Sequence, residues 1–170
     1  RLYNALGTIS NSGTLAVTQS FYNAGIFTNS GSVGMLDSLQ NEYILINETG
    51  AIINSDNFTN NDSLVNNGRL IFVNYTNNGN YYNNGITDAS DFYNTAYTAS
   101  TDSINIQSDM LNIGNLLIDA GAVVTIENDL MNADTLGFQG SIINDGLITV
   151  GNNFTNTSNI NGNEGSFCVA

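Results

Sequence analysis

An asparagine returns about every eighteen residues along almost the whole chain, and an apolar side chain stands two positions before each copy. Successive copies are separated by 19, 18, 19, 17, 17, 18, 20 and 24 residues. The members of this series are Asn4, Asn23, Asn41, Asn60, Asn77, Asn94, Asn112, Asn132 and Asn156. Repeats of about twenty residues are typical of stacked architectures, in which each repeat buries the apolar face of its neighbour.

Within a repeat, apolar and polar residues alternate as in a strand with one buried face. Leu15 and Val17 alternate with Thr14, Ala16 and Thr18, and Phe21 turns inward four residues after Val17. Aligned repeats place other pairs at the same two inward positions: Val33/Met35, Leu70/Phe72, Ile104/Ile106, Val124/Ile126, Ile148/Val150 and Phe167/Val169. Ile52/Asn54 and Thr87/Ala89 fit these positions less well, and this alignment points Ile53 outward.

The pattern predicts an all-β parallel β-solenoid, or β-helix, of about nine rungs with a period of about 18 residues. The rod would be roughly 40 Å long, because neighbouring strands lie ~4.8 Å apart. Residues 1–170 form a single domain in this interpretation, with a loop insertion near 133–140. The chain begins and ends within a rung, which favours either a segment of a longer array or copies that stack end to end.

Asparagines of successive repeats are expected to lie above one another, where their side-chain amides can bond along the stack and cap the corners. From Asn23 to Asn156, the first series therefore predicts a structural corner ladder. A second asparagine-like series runs between its members: Asn11, Asn29, Asn47, Asn66, Asn83, Asp119, Asn144 and Asn163.

Charge excludes several classes of partner. The chain has 15 acidic residues against Arg1 and Arg69 and a net charge of −13, so it lacks the cations that nucleic acid or an anionic membrane surface requires. No apolar run approaches the ~20 residues of a membrane helix. Cys168 is the only cysteine, so an internal disulfide is impossible.

Catalysis is not expected from this composition, because histidine and lysine, which serve most often as general bases and amine nucleophiles, are both absent. The acidic pairs Asp88/Asp91 and Glu127/Asp129 read as solvated turn residues. No cofactor is predicted. Calcium is a weak alternative, since corners such as residues 54–57 and 127–129 carry the oxygen donors it prefers, without an EF-hand loop.

Two sets of surface residues are candidates for contact or modification. Exposed aromatics on one face would be needed to bind a glycan, and the candidates are Tyr22, Tyr82, Tyr93 and Tyr97. A hydroxyl residue follows an aspartate and precedes an apolar residue at four places, at Ser38, Ser63, Ser103 and Thr135.

The repeat of apolar residue, x, Asn, x, Gly, x, apolar, x, apolar resembles the asparagine- and glycine-rich solenoid regions of large secreted surface proteins of Bacteroidetes, such as adhesins exported by the type 9 system. Residues 142–156 carry this resemblance most clearly. It implies an extracellular or cell-surface stalk or adhesin, and it implies O-glycosylation at Ser38, Ser63, Ser103 and Thr135. It brings no catalytic residue.

Three functions follow as hypotheses. The first is a non-catalytic structural or adhesive solenoid whose partners are neighbouring repeats. The second is a self-assembling filament subunit that stacks on copies of itself through its end rungs. The third is a carbohydrate-binding or carbohydrate-cleaving β-helix with surface glycans as partners.

Overall fold

The computed structural model describes residues 1–135, 138–163 and 165–170, and all regular structure there is β-strand. In chain order the strands are β1 (Leu2–Asn4), β2 (Thr8–Asn11), β3 (Thr14–Val17), β4 (Phe21–Asn23), β5 (Ile26–Asn29), β6 (Ser32–Met35), β7 (Ser38–Asn41), β8 (Ile44–Asn47), β9 (Ile52–Asn60), β10 (Ser63–Asn66), β11 (Arg69–Asn77), β12 (Asn80–Asn83), β13 (Ile86–Asn94), β14 (Tyr97–Ser100), β15 (Ser103–Ile106), β16 (Met110–Asn112), β17 (Asn115–Ile118), β18 (Val123–Ile126), β19 (Leu130–Asn132), β20 (Asp134–Thr135), β21 (Phe138–Gln139), β22 (Ser141–Asn144), β23 (Leu147–Val150), β24 (Phe154–Asn156), β25 (Asn159–Asn163) and β26 (Ser166–Val169).

The strands stack in parallel as three faces of a solenoid, which confirms the predicted fold class. The first face begins with β1, β4 and β7, the second with β2, β5 and β8, and the third with β3 and β6. A rung runs once through the three faces in that order. The second face is a separate sheet of nine strands, whereas β9, β11 and β13 run without a break from the third face into the first and join those two as one sheet.

The register between rungs follows the asparagine period. Leu2 pairs with Phe21, Phe21 with Leu39, and Leu39 with Phe58, and this column continues to Phe154. Each paired position holds an inward side chain. The one-dimensional alignment of repeats is therefore also the three-dimensional alignment, as expected when every strand pairs with its own copy one rung later.

Corner lengths account for the uneven spacing of the asparagines. At the corner between the third and first faces, Val17 precedes Phe21 by four residues, whereas Phe72 precedes Tyr75 by only three. Because this corner is one residue shorter, β11 continues through it and the repeat that ends at Asn77 has 17 residues. The corner between the second and third faces is two residues longer than usual after Asn47.

The long corner explains why the sequence alignment misplaced the inward residues of β9. Ile53 and Ser55, not Ile52 and Asn54, face the core, and Ile53 is completely buried. Residues 48–51 form a tight turn in which the Ala51 N–H donates to the Glu48 carbonyl oxygen at 3.0 Å. Gly50 takes a φ of 79° in this turn. As a result Val33 pairs with Ile53, one residue later than the sequence alignment had placed its partner.

Most corner glycines are required by close packing. No residue other than glycine has a positive φ in the described chain, and only Gly50 and Gly121 have one, so few of the described corners use a left-handed backbone. At Gly79, an added Cβ would lie 2.1 Å from the Asp62 carbonyl oxygen of the preceding rung. The corners of successive rungs touch through their backbones, and a side chain would separate them.

The apolar core is a single column inside the three faces. Phe58, Tyr75 and Phe92 stack as parallel rings, with centroids 5.1 and 4.6 Å apart. Phe21 packs edge to face on Phe27. All five rings are buried, whereas Phe154 in the last rung is only partly buried.

The longest interval, between Asn132 and Asn156, contains an antiparallel pair of short strands, β20 and β21. This hairpin extends from the corner between the first and second faces, at the position of the insertion expected near 133–140. After Gly140 the chain rejoins the second face, where Ser141 pairs with Asn115 of the preceding rung. The insertion therefore leaves the stack of rungs continuous.

Candidate functional surface

The nine asparagines that end the first-face strands form one unbroken amide ladder, here called the first ladder. In each rung the Nδ2 group donates to the Oδ1 atom of the asparagine in the next rung, at 2.7–2.9 Å. The series is Asn4, Asn23, Asn41, Asn60, Asn77, Asn94, Asn112, Asn132 and Asn156. The side chains from Asn23 to Asn132 are completely buried.

Each ladder amide also bonds to the backbone. The Asn41 Nδ2 group donates to the Tyr43 carbonyl oxygen in its own corner at 3.1 Å and to the Ser63 carbonyl oxygen in the next rung at 2.9 Å. One side chain thus holds the corner closed and attaches it to the corner above. Aspartate could not replace it, because a carboxylate has no proton to donate.

A second ladder ends the second-face strands and includes the first five members of the second asparagine-like series. Asn11, Asn29, Asn47, Asn66 and Asn83 are linked by bonds of 2.8–2.9 Å, and the Asn83 Nδ2 group then donates to the Ser100 Oγ atom at 3.1 Å. In the next rung the position is held by Ile118, which pairs with Ser100 and Asn144.

The assignment of Asp119 to this second series was therefore wrong. Asp119 lies one residue beyond the ladder position, at the outer side of the corner, and Ile118 fills the inward position with an apolar side chain. The predicted terminal member, Asn163, pairs through its backbone with Asn144, but its side chain lies outside the described part of the structure.

The fifth and sixth rungs carry a polar cluster inside the core. Thr87, Thr98 and Ser100 are completely buried. The Tyr81 hydroxyl bonds to Thr87 and, at 3.0 Å, donates to the Asn83 Oδ1 atom, and the Thr98 hydroxyl donates to the Asn94 Oδ1 atom at 3.0 Å. The cluster therefore extends from both ladders into the core.

The four candidate aromatics do not share one face. Tyr22 and Tyr93 lie in the outward column of the first face, four rungs apart, or roughly 19 Å. Tyr82 and Tyr97 lie on the second face, with ring centroids 5.7 Å apart and planes tilted by 57°. Tyr93 and Tyr97 are separated by the buried corner at Asn94 and cannot act as one platform.

Stacking limits which of these rings can receive a sugar. Tyr22 lies parallel to Tyr3, at 4.8 Å between centroids and 8° between planes, so the two rings cover one another's faces. Tyr93 has Thr76 and Leu111 as its neighbours along the column, and 37% of it is exposed. Among the described residues, Tyr93 is the one of the four candidates whose ring does not pack against another aromatic ring.

The candidate hydroxyl residues occupy equivalent places on different faces. Ser38, Ser63 and Ser103 each begin a strand and are partly exposed. Ser63 lies on the second face, and Ser103 on the third face donates to the Asp102 Oδ1 atom at 3.1 Å. The side chain of Thr135 lies outside the described part of the structure.

Several acidic residues have structural contacts. The Asp88 carboxylate accepts from Arg69 at 2.8 Å and from Asn105 at 2.9 Å. Asp109 accepts the backbone N–H of Asp129 at 3.1 Å, one rung later. Among the described residues, no group of three or more acidic or cysteine side chains is placed to hold a metal ion.

Sequence reasoning missed an apolar column on the outside of the second face. Its members, which pair in successive rungs, are Ile46, Val65, Tyr82, Ala99, Leu117 and Ile143. The signal was present as unbroken apolar runs, such as Ile44-Leu45-Ile46 and Ile142-Ile143. A strand with one solvent face should alternate, so such runs indicate apolar residues on both faces.

Comparisons with protein-family models, with curated proteins and with solved structures found no match to this chain. Across the described residues there is no helix of the length and apolarity needed to span a membrane. The function must therefore be argued from the geometry of the rungs and their surfaces.

Proposed function

We propose that this chain is a non-catalytic structural solenoid, a stalk or surface-fibre component of an extracellular or cell-surface protein. Its role is to hold other parts of that protein at a set distance and to present a repetitive acidic surface. The observation that carries this proposal is the first ladder, which is continuous through every rung.

A spacer must resist bending and local opening, and the ladder supports both. Each rung is attached to the next by backbone bonds on three faces and by a buried amide that bonds to its own corner and to the following one. Opening one corner exposes buried amide groups without their partners, at about 1–3 kcal/mol for each group. Local opening is therefore costly along the whole rod.

The spacer role can be tested directly by changing the number of rungs of the solenoid within the whole protein. Asn60 and Asn94 occupy equivalent positions two rungs apart, so residues 61–94 can be deleted or duplicated without changing the register. Three added copies should lengthen the rod by roughly 29 Å. The distance is measured by electron microscopy between antibody fragments bound on either side of the solenoid.

Length-preserving surface variants provide the control. Tyr93→Thr/Leu111→Thr changes two outward side chains of the first face, and it should leave the distance between the antibody fragments unchanged. A distance that does not increase with added rungs would contradict the spacer role, because the solenoid would then not lie between the two labelled parts.

The proposal includes display of O-linked glycans at Ser38, Ser63 and Ser103, whose partial exposure supports it. Mass spectrometry of the protein purified from its natural source should find hexose-containing adducts at these residues. Ser55 is the matched control, because it is buried and donates to the Asn57 carbonyl oxygen at 2.9 Å. Unmodified Ser38, Ser63 and Ser103 in native material would refute this part of the proposal.

A second candidate, carbohydrate binding, is favoured by the surroundings of Tyr93. Its ring lies in a shallow groove with Thr76 and Leu111 and with the carboxylates Asp91 and Asp109. An exposed aromatic ring beside hydrogen-bonding oxygens suits a neutral sugar, whose apolar face packs on the ring while its hydroxyls bond to the acceptors.

Binding to an array of neutral glycans tests this candidate. Tyr93→Ala should abolish binding. Tyr22→Ala should leave it unchanged, because Tyr3 stacks on the Tyr22 ring and covers it. Equal loss in both variants would contradict a site at Tyr93. The filament hypothesis stays a proposal, which electron microscopy of native material tests through the presence of continuous fibres.

A further inference from the structure

The outward side of the second face is free of charge over its first two columns of side chains in the described rungs. The column nearest the first face runs from Thr8 to Asn159, includes Tyr97, and holds only uncharged side chains. The middle column contains the apolar series Ile46, Val65, Tyr82, Ala99, Leu117 and Ile143, here called the apolar strip.

The apolar strip is accessible. Tyr82 and Ile143 are 42% and 38% exposed, and the other members are partly exposed. Tyr97 packs against Tyr82 and widens the strip. Six rungs make it roughly 24 Å long. The strip is thus a continuous apolar column on the surface of a chain with a net charge of −13.

One border of the strip is acidic. Asp119 and Asp145 occupy equivalent positions in successive rungs, immediately after the second-face strands, and Glu48 occupies the same position near the other end. Asp119 follows the strip residue Leu117 by two positions, and Asp145 follows Ile143 in the same way. Burial raises the pKa of the Tyr97 hydroxyl, and the nearby Tyr82 and the negative charge of Asp119 raise it further.

In the described part of the chain, neither arginine forms an ion pair with a carboxylate of that border. Arg1 and Arg69 are the only basic residues in the sequence. Arg69 lies on the third face and bonds to Asp88 at 2.8 Å. The strip therefore combines an apolar centre with a negative edge, and the complementary ligand has an apolar centre with a positive edge.

Two other occupants fit less well. A second copy would bring another net charge of −13 to the strip, with only Arg1 and Arg69 as basic groups to meet Asp119 and Asp145, so the two copies would repel one another. A flat glycan would need coplanar rings, but Tyr82 and Tyr97 are tilted by 57°.

We propose that the apolar strip docks an amphipathic, basic α-helix of a partner protein. A helix of about 16 residues is ~24 Å long and ~10 Å wide, which matches the strip. Its pitch of ~5.4 Å is close to the ~4.8 Å between rungs. Lysine or arginine side chains one turn apart would therefore meet Asp119 and Asp145, while the apolar stripe covers Leu117 and Ile143. This partner is additional to the structural role proposed above.

The probe is a synthetic, fluorescently labelled helical peptide of about 18 residues, with a leucine stripe bordered by lysines. Binding to the whole chain is measured by fluorescence anisotropy at two salt concentrations. Binding should weaken as salt increases, because the lysine–carboxylate contacts are screened. Two comparison peptides have the same length, one with glutamate in place of lysine and one with the same composition but no apolar stripe. Both should bind at least ~tenfold more weakly.

Matched variants locate the site. Tyr82→Thr/Leu117→Thr should weaken binding of the leucine–lysine peptide at least ~tenfold, whereas Tyr93→Thr/Leu111→Thr on the neighbouring face should change it less than ~twofold. Asp119→Asn/Asp145→Asn should also weaken it, more than Asp56→Asn/Glu127→Gln, which removes the same charge from the corner between the third and first faces.

Several outcomes would overturn the proposal. One is equal loss in the strip variant and its control, which would mean nonspecific attraction to an acidic protein. Another is that the peptide without an apolar stripe binds as tightly as the leucine–lysine peptide. The proposal would also fail if the chain bound a neutral polysaccharide, or associated with itself, and Tyr82→Thr/Leu117→Thr abolished that binding. Far-ultraviolet circular dichroism of each variant confirms that the rungs remain folded. The length-series experiment is unaffected by any of these results.

Discussion

Two buried tyrosines at the centre of the core differ in one respect, the partner of the hydroxyl group. Tyr75 stacks between Phe58 and Phe92, and its hydroxyl oxygen is buried without a hydrogen-bond partner among the described residues. The Tyr81 hydroxyl bonds to Asn83 and Thr87. A buried hydroxyl without a partner destabilises the fold, whereas a bonded one stabilises it.

Removal of each hydroxyl should therefore have opposite effects. Tyr75→Phe should raise the free energy of unfolding by about 1–2 kcal/mol, and Tyr81→Phe should lower it by about 1 kcal/mol. Urea unfolding followed by circular dichroism measures both. A change of the same sign in the two variants would show that the hydroxyl partners do not determine the effect.

The ring column itself is tested at Phe92, which is buried and stacked on Tyr75. Phe92→Ala should lower the free energy of unfolding by about 3–5 kcal/mol, because it leaves a cavity in the column. Thr18→Ala, at an exposed position, should change it by less than about 0.5 kcal/mol. Equal losses in the two variants would contradict the register of the core.

At the scale of the element, the unit of stability is the corner with its ladder amide. Asn77 is inward and buried, whereas the adjacent Asn78 is outward and exposed. Each donates to the equivalent asparagine of a neighbouring rung, Asn77 to the rung that follows and Asn78 to the rung that precedes. Asn77 donates to Asn94 at 2.9 Å, and Asn78 donates to Asn61 at 2.9 Å. Burial is the property that distinguishes the two contributions.

Asn77→Ala should destabilise the chain by about 2–4 kcal/mol, since the carbonyl oxygens of Gly79 and Tyr97 each lose a donor inside the corner. Asn78→Ala should cost less than about 0.5 kcal/mol because water replaces its bonds. Thermal unfolding of the two variants makes the comparison. Similar melting temperatures would mean that the ladder does not stabilise the rung.

At the scale of the whole molecule, the two buried tyrosines make stability depend on alkaline pH. Burial raises the pKa of Tyr75 well above its ordinary value, with a further contribution from Tyr81, and burial also raises the pKa of Tyr81. The folded state therefore disfavours the ionised form of both groups. Their contribution is fully present below the pKa of an unfolded tyrosine, about 10, and is lost as pH rises above it.

Alkaline titration should show this coupling. Tyrosinate absorbance from Tyr75 and Tyr81 should appear together with loss of the circular dichroism signal, later than that of the exposed tyrosines. The variant Tyr75→Phe/Tyr81→Phe should move the unfolding midpoint to higher pH. If the absorbance of all eight tyrosines appears while the chain is still folded, the two rings are not sealed in the core.

The sequence alone determined the fold class, the number of rungs, the inward column from Leu2 to Phe154 and the first ladder. In a parallel stack with one repeat per rung, the neighbour of a residue in space is its copy one period away. An alignment of repeats is then already a contact map. Within the interval where an insertion is expected, near 133–140, β20 and β21 form a separate two-stranded sheet.

Only the tertiary structure decided how the corners absorb unequal lengths and what the outer surfaces present. The Gly50 turn makes Ile53 inward, and Ile118, rather than Asp119, occupies the ladder position, because counting residues does not show where a corner accommodates an insertion. Tyr93 and Tyr97 are four residues apart in the chain but lie on different faces, because a corner separates them. Surface neighbours depend on corner geometry, whereas core neighbours depend on the period.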